Sequence, residues 1–106
     1  MLKTVLFDYE HLQRMTFSDV NLQKEVLDMF RYQVGDLMSR MLDEQGRVQQ
    51  DVAHTLKGSA RSIGAVRVAD YAEQLETAAP GEVDMVISDL NKAIFDTMDQ
   101  LSTQVP

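Results

Sequence analysis

The chain has 106 residues, 44% of them hydrophobic, with ten Lys+Arg against seventeen Asp+Glu for a net charge of −7 and no cysteine. That length fits one domain, 1–106; the acid excess argues against a nucleic-acid-tracking surface and against anionic membranes. No apolar tract approaches the roughly 20 residues of a membrane span, and the lack of cysteine removes disulfides and thiolate chemistry and suits the cytoplasm.

The opening stretch "MLKTVLFDYEHL" has one lysine and a short apolar patch followed at once by acids, so it lacks the pattern of a signal peptide. Downstream, apolar residues recur at intervals of three and four, the mark of amphipathic helices, and none of the chain alternates cleanly as a strand does. A short helix is predicted from about Asp8 to Met15, with Leu12 and Met15 on one side. Ser18 and Asp19 offer N-caps for a long second helix whose seam is Leu22, Val26, Phe30, Leu37 and Met41, widened by Met29, Val34 and Met38. "DEQG" ends it, with Gly46 as a C-cap.

A third helix is predicted from about Val48 to Ile63, stopping near Gly64. A fourth covers about Val66 to Thr77, with Val68, Tyr71, Ala72 and Leu75 inward, and "AAPG" breaks it. The fifth, about Glu82 to Ser102, carries Val83, Val86, Ile87, Leu90, Ile94, Phe95 and Leu101. Short connections set neighbouring helices antiparallel, so the expected fold is all-α: an up-down four-helix bundle with a small leading helix. The seven methionines mostly fall on these seams and read as core filler.

Within the third helix, "AHTLKGSARSIGA" (Ala53 to Ala65) places a glycine where a plain helix would avoid one, at a cost of roughly 1 kcal/mol relative to alanine. At about 100° per residue from Val52, Leu56, Ser59, Ala60 and Ile63 fall on one arc, while His54, Lys57, Gly58 and Arg61 fall on the opposite one. His54 therefore points away from the core. Gly58, one turn on, leaves the imidazole clear for a partner's backbone, and Lys57 and Arg61 add two cations. An accessible nitrogen lone pair with positive charge beside it is what a phosphoryl group on histidine needs. The bland alternative is a solvated surface histidine with Arg61 as an ordinary solvated charge.

The run from Ala53 to Glu76, "AHTLKGSARSIGAVRVADYAEQLE", resembles the histidine-containing phosphotransfer (HPt) domain family, whose pattern is His-x-Leu-Lys-Gly-Ser, a spacer, Gly-Ala and a later Leu-Glu. "SDVNLQKEVLDMF" (Ser18 to Phe30) looks like the family's approach to its second helix. The resemblance implies that His54 accepts a phosphoryl group at Nε2, that Lys57 stabilises its charge and that Gly58 gives the partner access. Ser59 matches an inward-turned structural position, and Gly64 a helix-ending glycine. Glu76 matches a position from which a side chain orients the imidazole; the alternative is a solvated carboxylate or a pair with Lys57 or Arg61. Arg61 and Arg67 would extend a basic rim or serve only as surface charges.

The implied function is a histidine phosphotransfer protein of a multistep two-component phosphorelay. His54 would take the phosphoryl group from a receiver aspartate and pass it to another receiver domain. The partners are receiver domains of response regulators and an upstream hybrid histidine kinase. The chain is expected to be a monomeric, cytoplasmic carrier rather than an enzyme, since it has no Walker-type motif or glycine-rich nucleotide loop. No cofactor is expected on it; Mg²⁺ belongs to the receiver. With only His11 and His54 and no Glu-x-x-His pattern, no metal site is expected. Rival readings are a phosphorylation-independent adaptor using the same face, and a hydrolase with His54 as general base. The start at Met1 and a complete bundle favour a free-standing protein.

Overall fold

The computed structural model describes residues 5–104; the first four positions of the opening stretch, Met1 among them, lie outside the described residues. Five α-helices follow one another: α1 (Tyr9–Met15), α2 (Val20–Asp43), α3 (Gly46–Ile63), α4 (Val66–Thr77) and α5 (Val83–Gln104), with a single 3₁₀ turn at Pro80–Glu82 leading into α5. Among the described residues there is no strand. Helix α3 packs against α2 and α4, α4 packs against α5, and α1 touches α3.

The helix ends follow from local chemistry. Asp8 caps α1 by accepting from the His11 N–H at 3.1 Å, so α1 begins one residue later than expected. Of the two candidate caps for α2, Asp19 does the work, accepting from the Leu22 N–H at 3.2 Å. Gly64 closes α3 in the left-handed region at φ +93°, and the Ala65 N–H reaches back to the Ala60 carbonyl at 2.8 Å. This pattern satisfies carbonyls that the helix end would leave orphaned.

Gly46 behaves differently from the expectation. It is the first residue of α3, at φ +64°, while α2 is closed by Glu44. The end of α2 gains a further partner from the buried side chain of Gln49, whose Nε2 donates to the Met41 carbonyl at 3.0 Å.

The core gathers Leu27, Phe30, Val34, Leu37 and Met41 of α2, Val52, Leu56 and Ile63 of α3, Val68 and Leu75 of α4, and Val86, Leu90 and Leu101 of α5. Each fully buried leucine stabilises the fold by about 1.5–3 kcal/mol. Two predicted seam residues are corrected. Met29 is 72% exposed and Phe95 71% exposed. From Phe30, Met29 lies about 100° round the helix and Leu27 only about 60°, so Leu27 takes the core place. From Leu90, Phe95 lies about 140° away, and the small Ala93 and polar Thr97 fill the arc instead. Leu22, Tyr71 and Ser59 are half-buried rather than enclosed. Nor do the described methionines sit mainly in the core: Met15, Met29 and Met85 are exposed, and among the described residues only Met41 is a fully buried methionine.

Two segments hold α1 in place. The Asp8 N–H donates to the Gly64 carbonyl at 2.8 Å and the Arg67 N–H to the Leu6 carbonyl at 3.3 Å. A side chain on Gly64 would put its Cβ 2.7 Å from the Asp8 carbonyl oxygen, so the α3–α4 corner needs glycine for the close approach as well as for its φ.

Candidate functional site

His54 sits midway along α3 and projects from the α3–α4 wall with its side chain 69% exposed. The neighbouring Val52, Ala53 and Leu56 are all buried, which anchors the backbone beneath the ring. Helix α3 therefore places the imidazole in water by the same periodicity that buries its leucine.

The ring is not free to turn. Its Nδ1 lies 2.9 Å from Glu76 Oε2 on α4. A carboxylate can only accept, so Nδ1 carries the proton and donates it, leaving the lone pair of the neutral imidazole on Nε2. Glu76 meets both the imidazole and Lys57. Its other oxygen, Oε1, is buried and lies 2.6 Å from Lys57 Nζ, an ion pair whose angles fall outside those of a directed hydrogen bond.

Burial alone would raise the Glu76 carboxyl, but the Lys57 ammonium and the His54 imidazole outweigh it and hold the group below its ordinary value. Glu76 is therefore ionised throughout the neutral range.

Of the two cations, Arg61 stands outward as the helical wheel has it, with its side chain 54% exposed, and Lys57 does not. The Lys57 side chain is only 14% exposed, laid across the α3–α4 groove. Lysine stems bury readily along apolar surface while the ammonium finds a partner. Nζ also lies 3.8 Å from Glu73 Oε2, and Arg61 Nη2 reaches that same oxygen at 3.0 Å. Glu73 was not singled out from the sequence. Its signal was there: it precedes Glu76 by one turn, and so shares the α3-facing side of α4.

Gly58 is exposed on the face that carries His54, and a Cβ built there meets nothing within 4 Å. The fold does not require glycine at this point. Arg67, at the start of α4, is half-buried, and its backbone N–H donates to the Leu6 carbonyl at 3.3 Å. Among the described residues, no group of three or more His, Asp or Glu side chains could hold a metal ion, and no helix is long and apolar enough to cross a membrane.

A family model of the Hpt domain matches residues 25–104, from the first turns of α2 to the end of α5. No curated protein and no solved structure matches the chain. Hpt domains are helical bundles that interact with receiver domains and kinases in phosphorelays. An all-helical fold, a match covering most of the chain and a solvent-facing histidine within it agree: the chain belongs to the Hpt domain family, the modules of histidine phosphotransfer.

Proposed function

We propose that this chain is a stoichiometric phosphoryl carrier, which accepts the group on His54 Nε2 from a receiver aspartate and hands it to a second receiver. The observation that carries the reading is the exposed imidazole whose Nδ1 is held on an ionised carboxylate, 2.9 Å from Glu76, so that Nε2 presents the lone pair outward.

In the proposed step, the Nε2 lone pair forms the N–P bond as the P–O bond to the aspartate breaks. The electron pair of that bond leaves on the aspartate carboxylate. The proton stays on Nδ1, where Glu76 balances the positive charge that the ring gains. Lys57 and Arg61 neutralise the oxygens of the arriving group. The reverse step, on a different receiver, empties the site. Mg²⁺ is assigned to the receiver's acidic pocket, and this chain supplies no cofactor.

The whole chain, 1–106, is read as one domain with α2 to α5 as an antiparallel up-down bundle and α1 as its short leading helix. It works as a cytoplasmic monomer between a hybrid histidine kinase and receivers of response regulators. Docking is transient and centres on the open face around Gly58.

The test is incubation with a phosphorylated receiver domain. The expected product is an acid-labile, alkali-stable label that maps to His54 and is absent from His54→Ala, with the helical circular dichroism of that variant unchanged. Label of equal amount in His54→Ala would overturn the site.

A further inference from the structure

Four charged groups form a chain of ion pairs that reaches the imidazole through Glu76: Lys57 pairs with Glu76 and Glu73, and Arg61 with Glu73. Counting Lys57 and Arg61 against Glu73 and Glu76, the cluster is neutral before any phosphoryl group arrives. The cations that the transfer reaction needs are therefore already occupied. One of the two carboxylates must give them up.

The geometry says which. Glu76 is 20% exposed and held through both oxygens, by His54 at 2.9 Å and by Lys57 at 2.6 Å. Glu73 is 54% exposed, and a single oxygen, Oε2, serves both of its partners, Arg61 at 3.0 Å and Lys57 at 3.8 Å. A half-exposed carboxylate loses little when water replaces its partner, because an exposed ion pair is weak and screened. Glu76 cannot leave without stripping the imidazole of its acceptor. Arg61 follows His54 by seven residues, two turns along the same face of α3, and a helical side chain leans toward the helix N-terminus, here toward His54.

We propose that Glu73 is a releasable counter-ion. It holds Lys57 and Arg61 beside the empty histidine and yields them to the phosphoryl oxygens, thereby setting how the group partitions between His54 and the receiver. This rests on the reading of His54 as phosphoacceptor. Glu73 is a positioning residue: it acts through the two cations and touches neither His54 nor the transferred group. Its carboxylate competes with the phosphoryl group for the same ammonium and guanidinium, so it stabilises the unphosphorylated state selectively. Removing its charge favours the phosphorylated one.

The experiment uses the full chain and two donors: a phosphorylated receiver domain, for the equilibrium, and phosphoramidate, for loading without a protein partner. Glu73→Gln is expected to raise the phosphohistidine-to-phosphoaspartate equilibrium constant by about two- to fivefold at low salt. It should also lengthen the half-life of phosphoramidate-loaded protein. At 1 M salt, where the screening length falls to about 3 Å, the difference should vanish. Glu73→Asp, which keeps the charge, should return the equilibrium toward wild type. A purely structural role would not be erased by salt or rescued by charge. If the label maps to His54 and Glu73→Gln leaves both equilibrium and half-life unchanged at low salt, this inference is overturned alone. If no label maps to His54 in the wild type, the phosphoacceptor reading falls and takes the inference with it.

Discussion

The protein's two histidines are tethered by opposite nitrogens. His54 gives Nδ1 to the Glu76 carboxylate at 2.9 Å, whereas His11 gives Nε2 to the Ser62 carbonyl at 2.8 Å. A carbonyl only accepts, so His11 carries its proton on Nε2, the nitrogen that His54 leaves bare. The acceptor differs as well. Glu76 is an anion able to offset charge gained by the ring, while the Ser62 carbonyl, in the last turn of α3, offers a dipole and joins α1 to α3. The same side chain is thus a staple between helices in one place and, in the proposed reaction, a nucleophile in the other, and the ring nitrogen each tether occupies fits that difference. The sharpest break of this contrast is a pair of substitutions. His54→Ala should lose all phosphoryl label, and His11→Ala should keep it while loosening α1, seen as faster amide exchange over residues 9–15. Equal labelling of the two variants would erase the distinction.

The two glycines of the same helix region sharpen it on the scale of access and stability. At Gly58 an added side chain meets open space, whereas at Gly64 it meets the Asp8 carbonyl at 2.7 Å from a backbone at φ +93°. Gly58→Leu should leave the melting temperature unchanged or higher, since leucine favours a helix interior by up to about 1 kcal/mol over glycine. It should nevertheless slow transfer from a receiver domain about tenfold or more while loading by phosphoramidate stays near wild type, because only the bulky partner is obstructed. Gly64→Ala should do the reverse: a loss of about 1–3 kcal/mol of stability by urea melts, with the label per folded molecule preserved. A Gly58→Leu protein that exchanges normally with receivers would remove access as the purpose of that glycine.

How far the sequence disclosed this arrangement depended on range. Helix α4 was legible to the residue, Val66 to Thr77, because apolar periodicity and the break at "AAPG" are both local signals. The outward direction of His54 was equally legible, since one turn of helix fixes it relative to Leu56. The seam of α2 was read too generously: spacing admitted Met29, which its angle from Phe30 places outside the buried arc. Small and polar core residues, such as Ala93, Thr97, Gln23 and Gln49, gave no hydrophobic signal at all. Contact between helices was not legible from spacing; the family resemblance alone offered Glu76 as a partner for His54, Lys57 or Arg61. Lys57 turns across to α4 rather than into water, and Glu73 gathers Arg61 beside it. No spacing within α3 encodes either event. The second duty of Gly64, making room for Asp8, joins segments more than 50 residues apart and has no local trace.

The smallest expected effect concerns the acceptor that separates the two histidines. The Glu76 carboxyl is held below its ordinary value of 4.5 in the folded protein, against the opposing pull of burial, by the Lys57 ammonium and the His54 imidazole. A carboxyl with a lowered folded value binds fewer protons than its unfolded counterpart, so stability rises with pH across that interval. Its contribution is complete above the ordinary value, declines as pH falls through the window between the ordinary and folded values, and is gone below both. Urea melts of the wild type from about pH 6 to about pH 3 should therefore lose part of their free energy in that window, and Glu76→Gln should lose less across it. Wild-type and Glu76→Gln curves that run parallel through the whole range would mean that the carboxylate gains nothing from Lys57 and His54, and the account of how the imidazole is held would have to be abandoned.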